Sequence, residues 1–126
     1  MKKFFYNIFL DIFTEISLIQ IEYQKLISKE ITLENSINAF EIEIDFLNSM
    51  EAICQDEIDS LKMKKELTIE QQNELDNKKI HIRKLNNQKN TQLFFRNSYI
   101  TKLETIKNNQ YVLKETYPKY FRKMNF

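Results

Sequence analysis

His81 is the single histidine of this 126-residue chain, and it sits between Ile80 and Ile82 in a basic stretch. Proton transfer or metal binding by histidine needs a partner group, and no second histidine exists. The expected role is a solvated surface side chain. Glu41, Glu43 and Asp45 step by two residues. On a helix that spacing turns successive carboxylates about 200° apart, so they do not converge. Asp56 and Asp59 share a helix face at i, i+3 but have no further ligand beside them. The Glu-x-x-His pair of di-metal helical bundles is absent from the chain. The chain has no glycine, so no glycine-rich loop can cradle a phosphate. Serine and threonine are present without a base placed to activate them. These residues lead us to expect no enzyme, no metal site and no cofactor.

The one cysteine, Cys54, cannot form an internal disulfide. It falls on an apolar stripe, where a small buried core residue is expected. The competing reading is an interchain disulfide across a symmetric seam.

That stripe is the dominant pattern of the chain. It runs Phe5, Phe9, Ile12, Ile16, Ile19, Tyr23, Leu26, Glu30, Leu33, Ile37, Phe40, Ile44, Leu47, Glu51, Cys54, Ile58, Leu61, with steps of 4 and 3. Only Glu30 and Glu51 interrupt it. A mean step of about 3.5 residues keeps one face of a helix turned toward a partner helix. A second stripe reads Leu75, Ile82, Leu85, then Tyr99, Leu103, Ile106, Leu113, Tyr117. With no glycine and only Pro118 as proline, hairpin turns of the sheet type are disfavoured. We expect an all-α fold: an elongated antiparallel helical hairpin or a three- to four-helix bundle with coiled-coil-type packing. Residues 1–118 are expected to form a single helical domain, and 119–126 a short aromatic and basic C-terminal tail.

Charge is segregated. Residues 11–61 carry twelve acids and two bases, whereas residues 62–126 carry fifteen bases and six acids. An acidic stretch followed by a basic one of similar length suggests that the two fold onto each other. Each exposed pair contributes little, about 0 to 1 kcal/mol. The pattern can still select antiparallel pairing.

Three places could turn the chain. Thr32 could cap a helix starting at Leu33, after a turn at 28–32. Thr68 and Gln71 have capping-box spacing, which places a turn at 65–69. The polar run Asn86–Gln92 could bend or break a helix, since asparagine tolerates left-handed backbone. Pro118 disfavours helix at Tyr117, so the long helix before it should stop there. Apolar density is highest near the two ends of the chain, and the simplest arrangement puts those ends together.

No run of about 20 apolar residues occurs, so no transmembrane segment is expected. The Met-Lys-Lys start is followed by Asp11 and Glu15 and by no small-residue cleavage site, so the expected location is cytoplasmic. The function expected is a non-enzymatic helical protein–protein interaction module: an adaptor, a secretion-type chaperone or an assembly factor. Its candidate partner-binding residues are Phe4, Ile8 and Phe13, which lie off the stripe, and Tyr120, Phe121 and Phe126 in the tail. One alternative is a nucleic-acid-associated helical protein using the basic half 62–126. The acids interspersed there, and a sequence pI of 7.7, weigh against it. Another is a structural coiled-coil homo-oligomer. Self-association or a protein partner is therefore expected.

Overall fold

A computed structural model describes the backbone of residues 2–123 and the side chains of residues 14–122. Helix covers 94 % of the described residues, and no strand occurs among them. There are three helices: α1 (Lys2–Lys62), α2 (Ile69–Thr116) and the short α3 (Pro118–Lys123). The chain divides into two compact units. The central unit is Ser36–Tyr99, and the terminal unit joins Met1–Asn35 to Ile100–Phe126. The two apolar ends of the chain therefore do share one unit, as their composition suggested.

The central unit is a helical hairpin. α1 ends at Lys62, and the chain reverses through residues 63–68 before α2 begins. The capping box read from the sequence forms here. Thr68 Oγ1 accepts from the Gln71 backbone N–H at 3.1 Å, and Gln71 Oε1 accepts from the Thr68 N–H at 3.0 Å. Two donors that a helix start leaves unpaired are thereby satisfied. The core between the helices consists of Leu47, Cys54, Ile58 and Leu61 from α1 and Leu75 and Leu85 from α2. Met50, Leu67 and Ile82 pack around it. Farther along the same hairpin, Phe40 stacks on Phe95 at 6.1 Å and meets Tyr99 edge-on at 5.1 Å between ring centroids.

The terminal unit has a smaller, aromatic core. Ile19, Tyr23 and Phe121 are buried, with Ile27, Leu113, Tyr117 and Tyr120 packed against them. α2 stops at Thr116, as the proline predicted. Pro118 then starts α3, where its missing N–H costs nothing because first-turn donors have no intrahelical partner. α3 turns Phe121 onto Tyr23, with ring centroids 4.9 Å apart at 70°. Beyond Pro118, Phe121 and Tyr120 pack into this core.

The expected turn at 28–32 is corrected, and the possible break at 86–92 does not occur. α1 runs without a break through 28–32, and α2 runs without a break through 86–92. Thr32 does not cap. Its Oγ1 donates back to the Ser28 carbonyl at 3.0 Å, inside the helix. Thr91 does the same to Asn87 at 3.1 Å. The reason lies in phase. Leu26, Glu30 and Leu33 keep the 4–3 step through the polar patch, so a continuous helix holds the seam on one face and a turn would rotate it away. The competing side-chain bonds of serine and threonine are weaker than that constraint.

Candidate functional site

On α1 every buried side chain among the described residues lies on the sequence stripe: Ile19, Tyr23, Leu26, Ile37, Ile44, Leu47, Cys54, Ile58 and Leu61. The two acids that interrupt the stripe point into the seam as well. In the central unit Glu51 Oε2 accepts from Lys89 Nζ at 2.9 Å. In the terminal unit Glu30 Oε2 accepts from Gln110 Nε2 at 2.9 Å. Glu30 and Glu51 are 21 residues apart, and so are Lys89 and Gln110. Each break in one stripe thus meets a polar residue of the other. Polar pairs at such positions fix which residues face each other, because a slip strands them against apolar neighbours.

The sequence reading missed Lys89 and Gln110 as seam residues. Extending the 4–3 step from Leu85 gives Lys89, Gln92, Arg96 and Tyr99, and from Ile106 it gives Gln110. All five are buried or half-buried. The step was the usable signal; polarity hid it.

His81 is exposed on an open groove of about 540 Å³ that also touches Glu70, Glu74 and Lys78. Glu74 is engaged there with Lys78 at 3.7 Å. Lys78 is ion-paired with Glu57 as well, and that hydrogen bond holds its ammonium above the usual lysine range. Cys54 is buried, and its thiol donates to the Lys78 carbonyl at 3.4 Å. Asp59 accepts from Gln55 at 2.9 Å, one turn away along the same helix. Among the described residues no group of three or more His, Cys, Asp or Glu side chains could hold a metal ion. Among them, too, no helix is long and apolar enough to cross a membrane. Of the basic side chains considered for nucleic acid, Lys78 and Lys89 are engaged with acids of α1.

The predicted partner-binding residues separate into three groups. Phe4, Ile8 and Phe13 have backbone within α1, but their side chains lie outside the described residues, and Phe126 lies outside them altogether. Phe121 is only 6 % exposed, and Tyr120 packs beside it, with ring centroids 5.1 Å apart. Phe121 is thus taken up by the terminal core and is not displayed to a partner.

What the central unit does display was not singled out from the sequence. Ile42, Phe46 and Ile53 are 71 %, 57 % and 55 % exposed. With Ala39 and Ser49 they form a second 4–3 stripe, 39, 42, 46, 49, 53, on the side of α1 turned away from the seam. Asp45 and Asp56 border it, both exposed. On α2 the side away from the seam carries Ile80, Arg83, Asn87 and Phe94, all exposed. Comparison with protein families, with characterised proteins and with solved structures gives no match for this chain.

Proposed function

We propose that this chain is a non-enzymatic helical interaction module, an adaptor or assembly factor whose work is to present helix faces to another protein. The observation that carries the reading is the outer stripe of α1. Isolated exposed apolar residues are ordinary on protein surfaces. Three large ones in helical register, on a helix whose opposite face already fills a core, make a contiguous apolar face of the kind that docks a partner helix. The aromatic residues Phe46 and Phe94 would supply most of the anchoring energy, about 2 kcal/mol or more each where they fill a pocket.

The test is a triple variant, Ile42→Ser, Phe46→Ser and Ile53→Ser, compared with the wild type. The helical circular dichroism signal and melting temperature should be unchanged, while capture of partner protein from the native host is lost. Capture that persists undiminished would place the binding surface elsewhere and refute this reading.

A further inference from the structure

Both helices of the central unit carry an outward apolar pair or stripe, and the two differ in the sign of their charge. The α1 segment Ser36–Lys62 holds seven acids and one base, whereas the α2 segment Ile69–Tyr99 holds three acids and six bases. On the outer face of α1 the apolar stripe Ile42, Phe46, Ile53 is bordered by Asp45 and Asp56. On the outer face of α2 Ile80 is bordered by Arg83 and Lys84, and Phe94 lies about 21 Å farther along, among neutral residues. All of these residues are exposed, and among the described residues none of these four charges takes part in an ion pair within the chain. The hairpin thus has one acidic apolar face and one basic apolar face, on opposite helices.

We infer that the occupant of the α1 face is the α2 face of a second copy of this chain, so that hairpins associate head to tail. The inference rests on the interaction-module reading above and names its partner. Three observations favour it over the other pairings. First, α1 on α1 would set Asp45 and Asp56 among like charges, and α2 on α2 would do the same to Arg83 and Lys84; like-charge juxtaposition is a strong veto at an interface. Second, the two faces differ in length by no more than about one helical turn. Ile42 to Ile53 spans about 16 Å of helix and Ile80 to Phe94 about 21 Å. Third, an antiparallel approach that lays Phe94 over Ile42 sets Arg83 level with Ile53 and Ile80 level with Asp56, so that within one helical turn along the face Arg83 reaches Asp56 and Ile80 reaches Ile53. The contact uses different faces on the two copies, so it does not close on itself. Each copy keeps one free face of each kind, and association continues stepwise.

This geometry makes a specific test. Full-length wild-type chain is followed by sedimentation velocity over a range of concentration and salt. Its mean mass should rise with concentration past the dimer, and high salt should reverse the rise. Phe46→Asp blocks the α1 face, and Phe94→Asp blocks the α2 face. Each variant alone should weaken self-association by about tenfold or more, since a charge then replaces an aromatic anchor. An equimolar mixture of the two should form dimers and stop there, because only one compatible pair of faces remains. Both positions are exposed, so circular dichroism and melting temperature should match the wild type; if either aspartate variant is unfolded, Phe46→Ser and Phe94→Ser carry the same test. A wild type that stays monomeric, a single variant that still grows, or a mixture that never dimerises overturns the inference. A monomeric wild type that captures a host protein through Ile42, Phe46 and Ile53 overturns it while leaving the interaction-module reading intact. A monomer that captures nothing removes both.

Discussion

The central and terminal units solve one problem with different materials. In each, a heptad stripe is interrupted by a glutamate, and in each a residue of α2 answers it. The central unit answers Glu51 with the ammonium of Lys89, and its buried cluster of Leu47, Cys54, Ile58, Leu61, Leu75 and Leu85 contains no ring, although Phe40, Phe95 and Tyr99 meet farther along the hairpin. The terminal unit answers Glu30 with the neutral amide of Gln110, and its core is built on rings, with Phe121 delivered by a separate short helix. The buried residues of the aliphatic core all lie on the two stripes. The aromatic core depends on the helix break at Tyr117, just before Pro118, which no stripe specifies. The difference teaches that stripe periodicity accounts for one unit almost fully and for the other only in part.

The sharpest way to break the comparison is to empty each core in turn. Phe121→Ala removes the ring that meets Tyr23 and should cost about 3–5 kcal/mol. Leu47→Ala or Ile58→Ala should cost about 2–5 kcal/mol, the range reflecting how far the site collapses. Urea denaturation of the full chain checks all three. An unchanged midpoint for Phe121→Ala would mean that α3 is not held by its ring, and the terminal core would reduce to the two long helices.

The seam pairs give a smaller effect that separates charged from neutral pairing. Lys89→Met leaves the carboxylate of Glu51 half-buried and unpaired, at a cost of about 2 kcal/mol. Gln110→Leu deprives Glu30 of a neutral donor and should cost about 1 kcal/mol. The double replacement Glu51→Leu, Lys89→Leu should be neutral or stabilising, since Glu51 Oε1 is buried with no protein hydrogen-bond partner. The same denaturation curves measure all of these. If Gln110→Leu costs as much as Lys89→Met, the charge on Lys89 contributes nothing beyond its hydrogen bond.

Much of this architecture was readable from residue spacing. The all-helical content, the seam from Ile19 to Leu61, the buried Cys54, the Thr68 capping box and the end of α2 before Pro118 all follow from local rules of step, cap and proline. The turn expected at 28–32 came from reading Thr32 as a cap, and the possible bend at 86–92 from reading polarity, where phase governs. The runs 28–32 and 86–92 are polar, yet Glu30 and Lys89 within them stay in register and find partners. Phe121 looked free because it follows a proline, but a proline at the first position of a helix redirects the chain and does not release it. The outer stripe of α1 went unnoticed because Ile42, Phe46 and Ile53 alternate with acids that mark them as surface. Only exposure measured against the seam separates a second apolar face from an overfilled first one.

The turn and its neighbouring ion pair give the smallest effects. Thr68→Ala removes the side-chain oxygen that accepts from the Gln71 N–H and should cost about 1 kcal/mol. Lys78 offers a finer probe of the central unit. Its hydrogen bond to Glu57 raises its pKa above the ordinary 10.5, with Glu57 and Glu74 adding favourable charge and desolvation opposing. A raised folded-state pKa means that the native chain holds this proton more tightly than the unfolded chain. The stabilisation is therefore complete below pH 10.5 and fades as pH climbs through the higher folded-state value. Other lysines and tyrosines titrate in the same window, so the wild type alone cannot report it. The difference in urea midpoint between wild type and Lys78→Met isolates it: that gap should be constant from neutral pH to about pH 9 and shrink above the ordinary lysine range. Salt should narrow the gap at neutral pH too, because the pair is solvent-accessible. A gap that stays constant through pH 11.5 and in high salt would assign the contribution of Lys78 to the packing of its methylene stem along the hairpin rather than to its charge.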